Sequence, residues 1–235
     1  MALLQYQSSL FDDPSAAYTV REIPKHDTHY LLLNVHYARR LPSITYAFGL
    51  FLGGELRGVV TYGSPPSPSL CIGLCGAEMA GNVLELNRLC LVDNKPNEAS
   101  MLVGKSLKML PPKRIIVSFA DTTQDHLGVI YQATNFLYTG LTAVRNEWAI
   151  KGKEHLHSKT LTGMVAGSEK GSVEAIKEMF GDDFYYRPRS RKHRYVIFTG
   201  SKTDKKVLRN ALKYPVLPYP KTQPDTVETS SDTVA

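Results

Sequence analysis

In the stretch VLELNRLCLV, from Val83 to Val92, three polar side chains interrupt an apolar run: Glu85, Asn87 and Arg88. Read as a strand, it sets Leu84, Leu86, Arg88, Cys90 and Val92 on one face and Val83, Glu85, Asn87, Leu89 and Leu91 on the other. A strand apolar on both faces belongs inside a covered sheet, where a carboxylate, an amide and a guanidinium are costly to bury unless they meet a partner or a substrate. Glu85 and Asn87 are therefore candidate substrate contacts. Arg88, with its fork of donors, suits an anionic group. Further on, RIIVSFAD from Arg114 to Asp121 carries Ser118 and Asp121 toward the end of a second buried strand.

Between these strands the pattern is helical. Asn97 is placed to cap, Glu98 suits the first turn, and Ala99, Leu102, Val103, Ser106, Leu107 and Leu110 recur at helical spacing until Pro111 and Pro112. Strand, helix, strand is a βαβ unit whose parallel strands end side by side, where ligands collect in open α/β sheets. Arg88, Ser100, Ser118 and Asp121 are thus expected around one pocket.

The remaining elements frame that unit. Thr45 to Gly63 reads as a hairpin turning at Gly53-Gly54, and Lys25 to Arg40 as a helical segment with His36 and Tyr37 near its end. GSPPSPS (Gly63–Ser69) is an extended loop, and Cys71 to Asn82 is turn-rich. Val129 to Thr134 predicts a short helix with Asn135 left-handed behind it; Phe136–Thr142 and Trp148–Ile150 predict strands around a turn at Arg145-Asn146-Glu147. Glu154–Leu161 predicts a strand with His155 and His157 on one face. Glu169–Phe180 and Thr203–Leu212 predict helices, and the basic loop RPRSRKHR runs into a strand ending at Gly200. Tyr214–Lys221 is a proline-rich strap. The expected organisation is an arm at 1–17, a core at 18–165, a basic C-terminal extension at 166–221 packed on that core, and a disordered tail at 222–235.

A chain of 235 residues has room for one sizeable core. The longest uncharged apolar run, Ser43–Gly54, is too short to span a bilayer, and the N-terminus lacks an export signal, so no membrane role and a cytoplasmic site of action are expected. Cys71, Cys75 and Cys90, an odd set of three, fit a reducing compartment; the first two are either small buried hydrophobes or a metal pair. Charge is uneven. Residues 1–150 balance 12 Lys/Arg against 12 Asp/Glu, whereas residues 151–221 carry 16 against 7. The basic third is the expected polyanion contact, through Arg187, Arg189, Arg191, Lys192 and Arg194, with Tyr185-Tyr186 beside them.

The order hairpin, central strand, helix, strand, short helix, strand resembles the GCN5-related acetyltransferase fold, a mixed α/β sheet with flanking helices. In that fold the central strand and its parallel neighbour splay apart and the acyl donor lies between them, its pyrophosphate on a Gly-rich turn. The turn here is NKPNEAS, so an acyl-coenzyme A donor lacks its usual grip. A closer likeness is to the phage Mom family. It is carried by His36-Tyr37, FGLF (Phe48–Phe51), GVVTYG (Gly58–Gly63), ELNRL (Glu85–Leu89), Ser100, FAD (Phe119–Asp121), YQATNFLYTG (Tyr131–Gly140) and KHRYV (Lys192–Val196). The resemblance implies conversion of adenine N6 in duplex DNA to an acetamido (carbamoylmethyl) derivative that shields phage DNA from restriction in the host cytoplasm. It also implies a small-molecule group donor. Its functional positions fall on His36, Tyr37, Arg88, Ser100, Asp121 and Tyr131. Asp121 is then the expected base, Arg88 holds the donor, Ser100 and Tyr131 orient, and Tyr37 stacks on an extruded base.

Alternatives stand beside each role. Arg88 could be a structural ion pair with Glu85 or Asp121, Asp121 a loop cap, and the arginine run a solvated loop. His36, Asp121 and His126 could form a two-His, one-carboxylate iron site. The whole chain could instead be an inactive acyltransferase-like DNA-binding module, or an N-acetyltransferase for a small amine or protein. A homodimer is compatible with the sequence.

Overall fold

The computed structural model describes residues 18–124, 126–154, 156, 158–168 and 171–221. The arm at 1–17, the tail at 222–235 and the pair His155/His157 lie outside them.

The elements run β1 (Tyr18–Glu22), β2 (Tyr46–Leu52), β3 (Glu55–Gly63), α1 (Pro68–Cys75), β4 (Val83–Leu91), α2 (Glu98–Met109), β5 (Ile115–Asp121), α3 (Val129–Ala133), β6 (Leu137–Leu141), β7 (Asn146–Ile150), α4 (Ser158–Met164), α5 (Ser172–Phe180), β8 (Phe184–Pro188), β9 (Lys192–Phe198) and α6 (Lys202–Ala211). A 3-10 turn at Lys25–Thr28 and a π-helical turn at Leu31–Val35 stand where one helical segment was expected. Seven strands form the main sheet in the order β1-β2-β3-β4-β5-β9-β6, and β7-β8 is a separate ribbon. Only β4 and β5 pair in parallel; their neighbours are antiparallel.

The β2–β3 hairpin turns at Gly53 (φ 58°) and Gly54 (φ 90°), a left-handed pair that glycine adopts without a Cβ penalty. The β3–β4 pairing contains a bulge. Tyr62 faces Leu86 and Thr61 faces Arg88, leaving Asn87 without an opposite residue. This extra residue overturns the simple alternation read from the sequence. Leu84, Leu86, Leu89 and Leu91 share the face under α2, whereas Arg88 joins Val83, Glu85 and Cys90 on the other. The bulge thereby keeps an unbroken leucine stripe in the core and turns the guanidinium to the same side as the carboxylate.

Both faces are covered. Leu102 and Val103 of α2 and Ile130 and Tyr131 of α3 pack on the leucine face with Phe48, Leu50, Tyr62 and Ile116. Leu74 of α1 and Leu208 of α6 cover Val83, Ile115, Val117, Val196 and Phe198 on the opposite face. A fully buried Leu, Ile or Phe contributes about 1.5–3 kcal/mol, so these layers hold the sheet rigid behind the site. Helix α1 was expected to be loop; Ser67 caps it by accepting from the Leu70 N–H, with Pro68 at its first position.

The expected boundary at 165/166 does not divide the fold. Strand β9 lies inside the main sheet between β5 and β6, and what separates from the core is the insertion between β6 and β9. There β7, β8, α4 and α5 close on a small core of Ile150, Leu161 and Ile176. Strand β8 was not anticipated; Phe184–Pro188 pairs with Ile150–Asn146 and makes the expected strand at Trp148–Ile150 one half of a ribbon. The strand expected over Glu154–Leu161 is in part the helix α4.

Candidate active site

Strands β4 and β5 stay paired only from Val83/Ile115 to Glu85/Val117, although both continue beyond. At the next step the Ser118 hydroxyl donates to the Leu86 carbonyl (2.9 Å), replacing a backbone contact. Past it the strands part and leave a cavity of about 850 Å³. Glu85, Asn87 and Arg88 line it from β4, Phe119 and Asp121 from β5, His36 and Tyr37 from the turn after the π-helical segment, and Tyr131 from α3. His126, Arg145, Arg189, Lys192 and Arg194 also line it.

Arg88 enters the cavity half-buried. Its Nη1 donates to the Asn87 carbonyl (2.6 Å), its Nε meets no acceptor, and it forms no ion pair among the described residues. The structural ion pair considered for it is therefore not formed. Asn87 is committed: its Oδ1 accepts from Thr61 Oγ1 (2.6 Å) and its Nδ2 donates to the Ser43 carbonyl (2.7 Å), which pins the bulge that aims Arg88.

The two carboxylates of the cleft differ. Glu85 accepts no hydrogen bond from the described residues, and burial raises its pKa despite the opposing charges of Arg88 and Lys192. Asp121 accepts from Thr123 N (3.1 Å), Thr123 Oγ1 (2.8 Å) and Ser190 Oγ (3.2 Å) and pairs with Lys192 Nζ (2.8 Å). Burial pushes its pKa up, but the bonds from Lys192 and Thr123 outweigh that and hold it low. Asp121 thus has the hydrogen-bond partners of a loop cap, whereas Glu85 has none among the described residues.

His36 is 8% exposed and stacks on Tyr37 with ring centroids 4.5 Å apart. Its Nδ1 accepts from the Ala38 N–H (3.0 Å), so the neutral ring carries its proton on Nε2. Burial, with the Arg88 charge, pushes its pKa down to about 4. Tyr131 packs between Phe136 and Tyr195, each 5.3 Å away between centroids, and burial raises its phenol pKa. Ser118 is buried and spent on Leu86. Ser100 is not in this cleft: its hydroxyl donates to the Asn97 carbonyl (3.1 Å) and it borders a second cavity between α2 and α3.

The iron site expected from His36, Asp121 and His126 is not assembled; among the described residues no three His, Cys, Asp or Glu side chains are placed for a metal, and the Asp121 carboxylate is taken by Lys192. Cys71 and Cys75 stand one helical turn apart in α1, buried, with Cys75 Sγ donating to the Cys71 carbonyl, which is the role of small hydrophobes.

The basic run also sorts itself. Arg194 is 6% exposed, its Nε and Nη2 donate to Thr139 Oγ1 and O (both 2.8 Å), and its guanidinium lies 3.4 Å from the Tyr214 ring centroid. Because β9 is an interior strand, this arginine pins the sheet and cannot reach a phosphate outside. Arg187 pairs with Glu147 (2.9 Å) and Lys192 with Asp121. Arg189 and Arg191 remain exposed. Sequence reading did not single out Arg145, which lines the cavity, because a turn arginine carries no further signal.

The turn before α2 tests the coenzyme. Pro96 has no N–H, the Lys95 N–H donates to Glu98 Oε2 (2.9 Å), and the Glu98 N–H donates to the Lys95 carbonyl (3.2 Å). Glu98, 1% exposed, also accepts from Tyr18 OH (3.0 Å). Asn97 is left-handed (φ 67°) and its side chain caps nothing. Pro96 supplies no donor, the Lys95 and Glu98 N–H groups are committed, and the buried Glu98 carboxylate puts a negative charge in the first turn, which does not fit a pyrophosphate.

The strand order, with one parallel pair splaying around a cleft, makes this a GCN5-related acyltransferase-like fold. The chain is similar in outline to an acetyltransferase of the GNAT family from Bacillus cereus ATCC 10987 (10% identity, 78% of this chain and 99% of that chain, TM-score 0.41). It is similar also to the N-acetyltransferase from Staphylococcus aureus Mu50 (14% identity, 77% and 98%, TM-score 0.42). Within that broad class the chain belongs to the Mom protein family, whose model matches residues 17–221. A relative, the protein named methylcarbamoylase mom of Escherichia phage Mu, is 26% identical over 226 residues, 93% of this chain and 90% of that protein.

Proposed function

We propose that this protein is a DNA-modifying transferase that converts adenine N6 in duplex DNA to an acetamido (carbamoylmethyl) derivative. The observation that carries it is the cleft between β4 and β5, where an uncommitted carboxyl on Glu85 and the Arg88 guanidinium, its Nε unpaired, face one cavity. The name of the phage Mu relative supports the same class of group.

Adenine N6 is a weak nucleophile because its lone pair is delocalised into the ring. As the N6–carbon bond forms and the bond from that carbon to the donor's leaving group breaks, the amine must lose a proton, and in this reading Glu85 accepts it. Arg88 binds the anionic or carbonyl end of a small donor and stabilises the charge that develops there. Neutral His36 offers an Nε2–H donor, and Tyr37, stacked on it, presents a ring face to the extruded base, whose removal from the duplex costs a few kcal/mol. The buried Glu98 carboxylate and the missing Pro96 N–H at the turn before α2 disfavour coenzyme A as the donor. A bulky N6 substituent alters the donor pattern that restriction enzymes read in the major groove, which makes protection of phage DNA in the infected cytoplasm the biological reading.

The test is nucleoside mass analysis of plasmid DNA from bacteria expressing the protein. A deoxyadenosine adduct is expected; unmodified DNA at good soluble expression would leave an acyltransferase-shaped DNA binder instead.

A further inference from the structure

Two basic segments at the mouth of the cleft take no part in that chemistry. Directly after Tyr37, which is 65% exposed, come Arg39, with a left-handed φ of 42°, and Arg40. The Arg39 N–H donates to the His36 carbonyl (3.0 Å), so the chain turns tightly at the cleft's edge and carries both arginines there. Arg40 lies near enough to Arg88 for its charge to be felt in the cavity.

The second segment is the neck of the insertion between β6 and β9. Arg145 and Arg189 line the same cavity as Tyr37. The neck is fastened crosswise: the Arg189 N–H donates to the Arg145 carbonyl (2.8 Å), and Arg191 Nε donates to the Thr142 carbonyl (2.8 Å). Among the described residues Arg39, Arg40, Arg145 and Arg191 form no ion pair, unlike Arg187 and Arg189, which pair with Glu147, and Lys192, which pairs with Asp121. Cations without acidic partners, flanking a cavity that presents an exposed aromatic ring, match phosphates on either side of a planar base.

We infer that Arg39 and Arg40 form one phosphate grip and the insertion's neck, through Arg145 and Arg191, the opposing one, so that duplex DNA lies across the cleft with the target base passing Tyr37 between them. The inference rests on the DNA reading above and places one grip, Arg39 and Arg40, about 150 residues before the basic run in sequence.

The experiment measures binding of the full chain to a fluorescent DNA duplex across a salt series. Each phosphate that the protein no longer neutralises takes about 0.9 off the slope of log K against log salt, so Arg39→Ala/Arg40→Ala should be shallower by about 1.8 and bind on the order of tenfold more weakly at moderate salt. Arg145→Ala/Arg191→Ala should do the same, and Lys202→Ala/Lys206→Ala on α6 should change neither. Should an alanine pair fail to fold, Arg39→Gln/Arg40→Gln, which keep the stem and remove the charge, give the same readout. If the unaltered protein shows no salt-dependent binding, the DNA reading falls and this inference with it. If it binds but neutralising Arg39 and Arg40 leaves slope and affinity intact, the two-grip arrangement is wrong while the DNA reading stands. Tighter binding to an RNA duplex of the same sequence would also overturn it.

Discussion

Glu85 and Asp121 line one cavity with opposite fates. A carboxylate held by a lysine, a hydroxyl and a backbone N–H is stabilised as an anion and takes up a proton poorly, whereas one that burial raises and nothing satisfies takes it readily. Glu85→Gln should therefore lower DNA modification about 10²–10⁴-fold, the usual weight of a general base, while Asp121→Asn should cost far less. The acid limb of the activity profile should fall with an apparent pKa above the usual glutamate value of about 4.3. His36 yields a stability prediction. Its folded value of about 4 lies below the 6.5 of a free ring, so unfolding takes up a proton as pH falls. The stability tied to the neutral ring is complete above about pH 6.5 and is lost as pH falls toward the folded value. Urea unfolding midpoints should decline through that window, and His36→Asn should flatten the decline.

At the scale of elements, the bulge in β4 decides which side chains meet. Gly63 stands beside it, and a Cβ there would fall 1.9 Å from the Ser43 carbonyl oxygen and 3.1 Å from Asn87 Nδ2. Gly63→Ala should destabilise by about 1–3 kcal/mol through overpacking, read as a lower melting temperature, and should reduce activity through Arg88. The turn before α2 predicts that coenzyme A leaves the melting temperature unchanged; a rise of several degrees would contradict that account of its donors. The apolar runs of β4 and β5, the hairpin glycines and the amphipathic pattern of α2 were legible because each is a local periodicity. The bulge was not, because an extra residue exists only relative to a partner strand. Thus Glu85, Asn87 and Arg88 were recognisable as a site while the face shared by Glu85 and Arg88 was not. The ion pair of Asp121 was illegible for a related reason: Lys192 comes from a strand far away in sequence.

For the whole molecule, composition located the positive charge but not its disposition. A net +9 over residues 151–221 includes one arginine buried in the sheet and, among the described residues, three cations in ion pairs, and the cations left at the rim come partly from a region whose overall charge is balanced. Strand β9 was read as an extension because an insertion separates it from β6, and only closure of the main sheet shows that it is interior. The insertion's small core of Ile150, Leu161 and Ile176 makes it the softer part of the fold, so limited proteolysis should cut there before the main sheet. The central claim is that the splayed pair β4 and β5 holds a carboxyl able to take the proton of a DNA base amine. The most direct measurement is the adduct per deoxyadenosine in DNA from cells expressing the unaltered protein or Glu85→Gln at matched soluble levels and matched DNA affinity. The account predicts an adduct with the first and loss of at least 99% of it with the second, the lower bound of about 10²-fold for a general base; equal adduct from both would contradict it.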